Sequence, residues 1–146
     1  MSQTEEPTEE AQKAIFRARG STKTERLLAD LGDHAFLNLW SYPNLFYDKK
    51  QKGKGDGKEL CDMLVVCGDD VIIFSDKSIG WPEGKDVKIA WPRYYRKAVE
   101  GAVKQINGAN RVITEFPEKI YTDSACTQRL PIGLPPAATR RTRVCT

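Results

Sequence analysis

The sequence predicts an α/β fold in which two amphipathic helices cover a short β-hairpin. Three observations support this: apolar residues at helical spacing near the start, two apolar runs rich in β-branched residues in the middle, and a longer helical pattern after them. With 146 residues the chain is long enough for one hydrophobic core. We therefore expect one domain over residues 21–146, preceded by a polar, mobile arm over residues 1–20.

The first helix is predicted to begin near Thr24, a candidate N-cap, and to stop near Pro43. Glu25 lies in its first turn, where a carboxylate interacts favourably with the helix dipole. The residues at spacings of three and four are Leu27, Leu28, Leu31, Ala35, Phe36 and Leu39.

A hairpin is predicted next, with strands at about residues 59–67 and 70–77 joined by a turn at Gly68-Asp69. Both apolar runs are nearly continuous rather than alternating, so we expect helices to cover both faces of the hairpin. A glycine-interrupted loop precedes it, and the lysines there are Lys49, Lys50, Lys52, Lys54 and Lys58.

The second helix is predicted to start at Pro92, after a loop, and to continue through Phe116. Gln105 lies beside its apolar stripe, where a solvated flank is the simpler interpretation and a site-facing side chain the alternative. The chain ends with a strand beginning at about Arg143, which allows it to be a fragment of a longer protein.

Composition excludes several classes. No apolar run approaches a membrane span, and the acidic N-terminus is unlike a signal peptide, so we expect a cytoplasmic protein. The net charge of +3 is too mild to indicate nucleic-acid binding by itself. The four cysteines form no C-x-x-C pair and are expected to be buried, reduced thiols.

The hairpin carries the candidate chemistry. Antiparallel pairing around the turn places Asp62 opposite the neighbourhood of Ser75–Lys77, and alternation puts Ser75 and Lys77 on one face and Asp76 on the other. A carboxylate and an ammonium at one end of a sheet suit metal-assisted phosphodiester hydrolysis. A strand-end ion pair is the simpler alternative.

At these residues, "ELCDMLVV" followed by "VIIFSDK", the sequence resembles the restriction-endonuclease-like, or PD-(D/E)xK, nuclease superfamily. The resemblance implies a small mixed sheet flanked by helices in the order α-β-β-β-α-β. It further implies that Asp62 and a second acid bind Mg²⁺ or Mn²⁺, and that Lys77 positions the attacking water. The layout is also similar to a family of uncharacterised bacterial proteins with this nuclease-like core.

The chain departs from the superfamily pattern at Ser75, where an acid is expected, and a hydroxyl is a weaker ligand for a hard cation. Three acids are candidates to compensate: Glu25 from the first helix, Asp76 through a bulge, or Glu59, which lies one face away from Asp62 in a regular strand.

The expected partner is nucleic acid, with DNA favoured, and the superfamily allows a homodimer or a larger defence or repair complex. A basic rim for phosphates is predicted from Lys49, Lys50, Lys52, Lys54, Lys58, Arg93, Arg96 and Lys97, with Lys104, Arg140, Arg141 and Arg143 nearby.

Several alternatives stay open. A solvated loop and helix face explain the basic residues equally well. The aromatics Trp81, Trp91, Tyr94 and Tyr95 could stack on bases, although burial in the core is the commoner use. The alternative to a nuclease is a catalytically degenerate module of the same fold that binds nucleic acid or a protein. A fragment unable to fold alone is the third interpretation.

Overall fold

A five-stranded mixed sheet with helices on its two faces forms the body of the molecule. The structure is a computed structural model and describes residues 20–36, 39–48, 57–77 and 79–145. Its elements are α1 (Lys23–Phe36), β1 (Ser41–Tyr47), β2 (Lys58–Cys67), β3 (Asp70–Phe74), α2 (Val87–Tyr95), a π-helical turn (Arg96–Glu100), α3 (Gly101–Glu115), a 3₁₀ turn (Pro117–Lys119), β4 (Ile120–Tyr121) and β5 (Arg141–Cys145). The predicted α/β class with a small mixed sheet is confirmed.

The predicted hairpin forms the middle of the sheet, whose strand order is β4-β1-β2-β3-β5. The β2–β3 ladder runs antiparallel from the pair Cys67–Asp70 to the pair Met63–Phe74. Gly68 in the turn has φ of +57°, a conformation that glycine adopts without steric cost. The predicted final strand is also confirmed, since β5 pairs in parallel with β3, but it begins earlier than expected, at Arg141.

The two faces of β2 are covered by different helices, as predicted. On one face Met63 lies against α1, where a Cβ added to Gly32 would meet the Met63 sulfur at 2.6 Å. The next residue, Leu64, belongs instead to the hydrophobic cluster that includes Val112 and Ile113 of α3. Because side chains alternate along a strand, α1 and α3 lie on opposite faces of the sheet.

The predicted first helix differs from the structure at both ends. It begins at Lys23, one residue before Thr24, and its N-cap is Thr22 because Thr22 and Glu25 form a reciprocal capping box: the Glu25 N–H donates to the Thr22 hydroxyl at 3.1 Å, and the Thr22 N–H donates to the Glu25 carboxylate at 3.2 Å. The helix ends at Phe36, well before Pro43.

Pro43 instead lies within β1, opposite Met63. A proline is tolerated there because β4 pairs only with Phe46 and Tyr47, which leaves β1 an edge strand at Pro43. The sequence pattern therefore concealed one strand of the central sheet.

The second helical region also differs from prediction, because it begins at Val87 rather than Pro92. Asp86 caps it by accepting a hydrogen bond from the Lys88 N–H at 2.8 Å, so Pro92 lies inside the helix. The π-helical turn then inserts an extra residue and changes the helical phase. Ala102, Ile106, Ala109 and Ile113 of α3 are buried, whereas Tyr95, Val99 and Val103 are exposed.

The four cysteines are all free, but the prediction that they are buried holds only for Cys61. Cys67 and Cys145 are exposed, and Cys126 is partly exposed. Among the helices of the described ranges, none is long and apolar enough to cross a membrane. The predicted N-terminal arm lies outside the described residues apart from Gly20.

Candidate active site at the open end of the hairpin

Asp62 lies near the open end of the hairpin with only 6% of its surface exposed. Its Oδ2 accepts a hydrogen bond from the main-chain N–H of Asp76 at 2.6 Å, which joins β2 to the chain following β3. The ladder ends at Met63–Phe74, so the next opposed pair is Asp62 and Ser75. The structure thus brings Asp62 together with the segment that the sequence predicted to face it.

Glu59 reaches Asp62 because β2 contains a bulge. Leu45 pairs with Cys61 and Phe46 pairs with Glu59, so Leu60 is an extra residue on β2. In a regular strand, Glu59 and Asp62 would point to opposite faces. The bulge breaks this alternation and brings the Glu59 carboxyl close enough to Asp62 to raise the pKa of the Asp62 carboxyl.

This environment raises the pKa of the Asp62 carboxyl from 3.8 to about 6. Burial is the largest cause, since it disfavours the ionised form, and the adjoining Glu59 carboxyl raises the pKa further. The Asp76 N–H and the Lys77 ammonium act in the opposite direction by stabilising the carboxylate. A buried carboxyl beside a second acid and a lysine is a common feature of catalytic sites.

Two further oxygen atoms at this site lack a hydrogen-bond partner among the described residues: the Ser75 hydroxyl and the amide Oε1 of Gln105, both buried. Gln105 extends from α3, and its Nε2 donates to Glu59 Oε1 at 3.5 Å. The simpler interpretation of Gln105 as a solvated flank was therefore wrong. Its position beside the apolar stripe was the signal that it faces the sheet.

The remaining predicted site residues lie around this centre. Lys77 is exposed and close enough to Asp62 to favour its ionised form. Asp76 is exposed and lines an apolar cleft against α1, and Ser75 lines the same cleft.

Glu25 occupies the start of α1, where its Oε2 accepts hydrogen bonds from the main-chain N–H groups of Ser21 at 2.7 Å and Thr22 at 3.2 Å. These bonds to the carboxylate outweigh its partial burial and lower the pKa of Glu25. Glu25 and Glu59 line the same cleft, which has a volume of about 410 Å³. The structure therefore places Glu25 in a capping role at the edge of the candidate site.

The predicted basic rim is spread over several elements. Lys49, Lys50, Lys52 and Lys54 lie outside the described residues, and Lys58 is exposed at the start of β2. Arg93, Arg96 and Lys97 are exposed on α2 and the π-helical turn. Two tail arginines bind protein groups instead: Arg141 forms a bidentate pair with Asp70 at 2.7 and 3.0 Å, and Arg140 donates to Ile113 O and Thr114 Oγ1.

No model of a known protein family matches the chain, and searches of curated proteins and of solved structures return no match. Within the described ranges, no three His, Cys, Asp or Glu side chains are grouped so that they could hold a metal ion. The function is therefore argued from the geometry and chemistry of the Asp62 site.

Proposed function

We propose that the protein is a metal-dependent nuclease that hydrolyses phosphodiester bonds, with DNA as the favoured substrate, and that Asp62 is the centre of its active site. The observation that carries the proposal is the buried Asp62 carboxylate held beside Glu59 and Lys77 at the end of a hairpin. The order of a helix, three strands, a helical region and the returning strand β5 is similar to the order that the superfamily resemblance implies, although the two-residue strand β4 lies between α3 and β5.

The residues present fit a hard divalent cation such as Mg²⁺ or Mn²⁺. The side chains of Asp62, Glu59, Ser75 and Gln105 offer only oxygen ligands from their carboxylates, hydroxyl and amide carbonyl, and the last two oxygens are buried without a partner in the described structure. Mg²⁺ typically takes one or two carboxylates and keeps several waters. Glu59 thus supplies the second acid that Ser75 does not.

Each side chain has a role that follows from its position. The Asp76 N–H fixes the orientation of the Asp62 carboxylate, and burial of Asp62 limits competing hydration. The Lys77 ammonium donates hydrogen bonds to the attacking water and to phosphate oxygens. A bound Mg²⁺ would supply Lewis-acid stabilisation of the negative charge that develops on the phosphate.

Nicking of supercoiled plasmid with Mg²⁺ or Mn²⁺ tests the proposal. We expect wild type to nick, and Asp62→Asn and Lys77→Ala each to lower the rate by at least about 100-fold, as loss of a group that acts in the transition state does. Asp30→Asn and Lys23→Ala on exposed parts of α1 are matched controls and should cut at the wild-type rate.

Two outcomes would contradict the proposal: nicking that survives Asp62→Asn, or a folded wild type that cuts neither plasmid nor single strands. Calorimetric titration of the protein with Mn²⁺ distinguishes a nuclease from a degenerate binding module. The nuclease must bind Mn²⁺, and Asp62→Asn should abolish this binding. The second candidate, a degenerate binding module, is favoured by Ser75 in place of an acid. It requires nucleic-acid or protein binding without any metal affinity.

A further inference from the structure

Four aromatic side chains, Trp81, Trp91, Tyr94 and Tyr95, form a continuous cluster at α2 and the loop before it, which we call the aromatic surface. Trp81 lies 5.3 Å from Tyr94 and 6.3 Å from Trp91 between ring centroids. Trp91 lies 6.2 Å from Tyr94 and 6.3 Å from Tyr95. These distances are in the range of favourable aromatic pairs, so the rings support one another.

The aromatic surface faces solvent, contrary to the expectation that these rings are buried in the core. Trp81 is 43% exposed, Trp91 54% and Tyr95 43%. Ala90 is the buried residue of α2, so the helix presents most of its surface to solvent. Keeping large rings in water is unfavourable, and exposed apolar patches usually mark binding sites.

The charge on the helical part of the aromatic surface is positive. The segment 87–97 contains no acidic residue, and its cations are Lys88, Arg93, Arg96 and Lys97, all exposed, whereas the exposed acids Glu83 and Asp86 lie in the loop between Trp81 and α2. Protein–protein interfaces also use aromatics and arginine, but they are depleted in lysine. Rings interleaved with lysine and arginine instead suit a ligand with flat apolar faces and a phosphate backbone, which is a nucleic acid strand.

The rings can reach base faces only where the bases are unpaired, because pairing and stacking inside a duplex cover those faces. The aromatic surface is also near the candidate site. Trp81 follows Lys77 by four residues, which span at most about 14 Å. The same helical region continues into α3, which carries Gln105 to Glu59.

We propose that the aromatic surface binds the unpaired bases of a single-stranded nucleic acid while Arg93, Arg96 and Lys97 contact its phosphates. This proposal names the substrate class of the Asp62 site and, in that respect, rests on the proposed function. Bound there, a single strand or a single-stranded tail of a duplex passes Lys77 at the open end of the hairpin.

Binding is measured by fluorescence anisotropy with a labelled oligothymidine of about 12 nucleotides, within the usual range for single-strand sites. The protein carries Asp62→Asn and the buffer contains EDTA, so no cutting occurs. We expect the single strand to bind more tightly than a duplex of equal length. Trp91→Ala and Trp81→Ala should each weaken binding by about 5- to 150-fold, and Trp91→Phe should retain most of the affinity.

The matched control is Trp40→Ala, which removes an exposed tryptophan (42%) outside the aromatic surface and should leave binding unchanged. Equal affinity for duplex and single strand, or equal losses for Trp40→Ala and Trp91→Ala, would overturn the proposal. So would unaltered oligonucleotide binding in a folded Trp81→Ala/Trp91→Ala protein, which would leave a protein partner as the occupant. This assay measures binding without cutting, so its outcome is independent of the nicking assay. A protein that nicks plasmid but does not bind the single strand would contradict only the present proposal, whereas a protein that binds the single strand but does not nick would contradict only the proposed function.

Discussion

At the scale of single residues, the ionised form of the Asp62 carboxyl is electrostatically unfavourable in the folded protein. A carboxyl with a pKa raised to about 6 is more costly to ionise than one in water, and Glu59 adds to that cost. Proteins tolerate such arrangements mainly where function needs them. Because Glu59 is one of the groups that raise the pKa of Asp62, a change in Glu59 should alter the titration of Asp62.

The substitution Glu59→Gln tests this coupling. Removing the neighbouring carboxyl should lower the pKa of Asp62 from about 6 towards 3.8, because one of the causes that raise it disappears while the Asp76 N–H and Lys77 remain. The Asp62 carboxyl carbon can be followed by NMR during a pH titration. A matched change of an exposed acid, Glu115→Gln, should leave the titration where it was. An unshifted pKa of Asp62 in the Glu59 variant would show that Glu59 does not contribute to the raised value.

At the scale of elements, substitutions of Glu25 at the start of α1 distinguish a capping role from a metal-binding role. Glutamine can replace glutamate in a capping box, whereas alanine cannot. We expect Glu25→Gln to keep both the melting temperature and the nicking rate close to wild type. Glu25→Ala should destabilise the protein by about 1 kcal/mol through loss of the cap. Loss of cutting in a Glu25→Gln protein with an unchanged melt would instead assign Glu25 to the metal site.

Local sequence signals explain which elements were predictable. The hairpin was predictable because β-branched runs and the Gly68-Asp69 turn agree with each other. β1 was missed because Pro43 interrupts it and its pairing depends on β2, which is distant in sequence. The start of α2 was missed because glycine and proline near Asp86 suggested a loop.

The candidate site was partly predictable for the same reasons. Asp62 and the segment Ser75–Lys77 follow from hairpin register, which two apolar runs determine. The approach of Glu59 depends on the bulge at Leu60, which arises from tertiary pairing with β1. Tyr95 is exposed on α2, whose buried residue is Ala90, and the local pattern does not contain the π-helical turn that follows it.

At the scale of the whole molecule, the candidate site should reduce stability in exchange for function, and the effect should depend on pH. The pKa of Asp62 is higher in the folded protein than its ordinary value of 3.8, so between pH 4 and 6 the folded state binds more protons than the unfolded state. The contribution of Asp62 to the free energy of unfolding therefore falls as the pH rises through this range. Above about pH 6 the ionised carboxylate destabilises the fold.

The substitution Asp62→Asn removes this charge and keeps an oxygen that can accept the Asp76 N–H. At pH 7.5 we expect the variant to be more stable than wild type by on the order of 1 kcal/mol, discounted for solvent near the end of the sheet. This corresponds to a rise of about 2–4 °C in Tm. At pH 4 the advantage should vanish, and Mn²⁺ at pH 7.5 should raise the Tm of wild type only, because ligand binding stabilises the folded state. Differential scanning calorimetry measures these three changes in Tm. A variant that melts below wild type at pH 7.5 but not at pH 4 would show that the Asp62 carboxylate stabilises the fold.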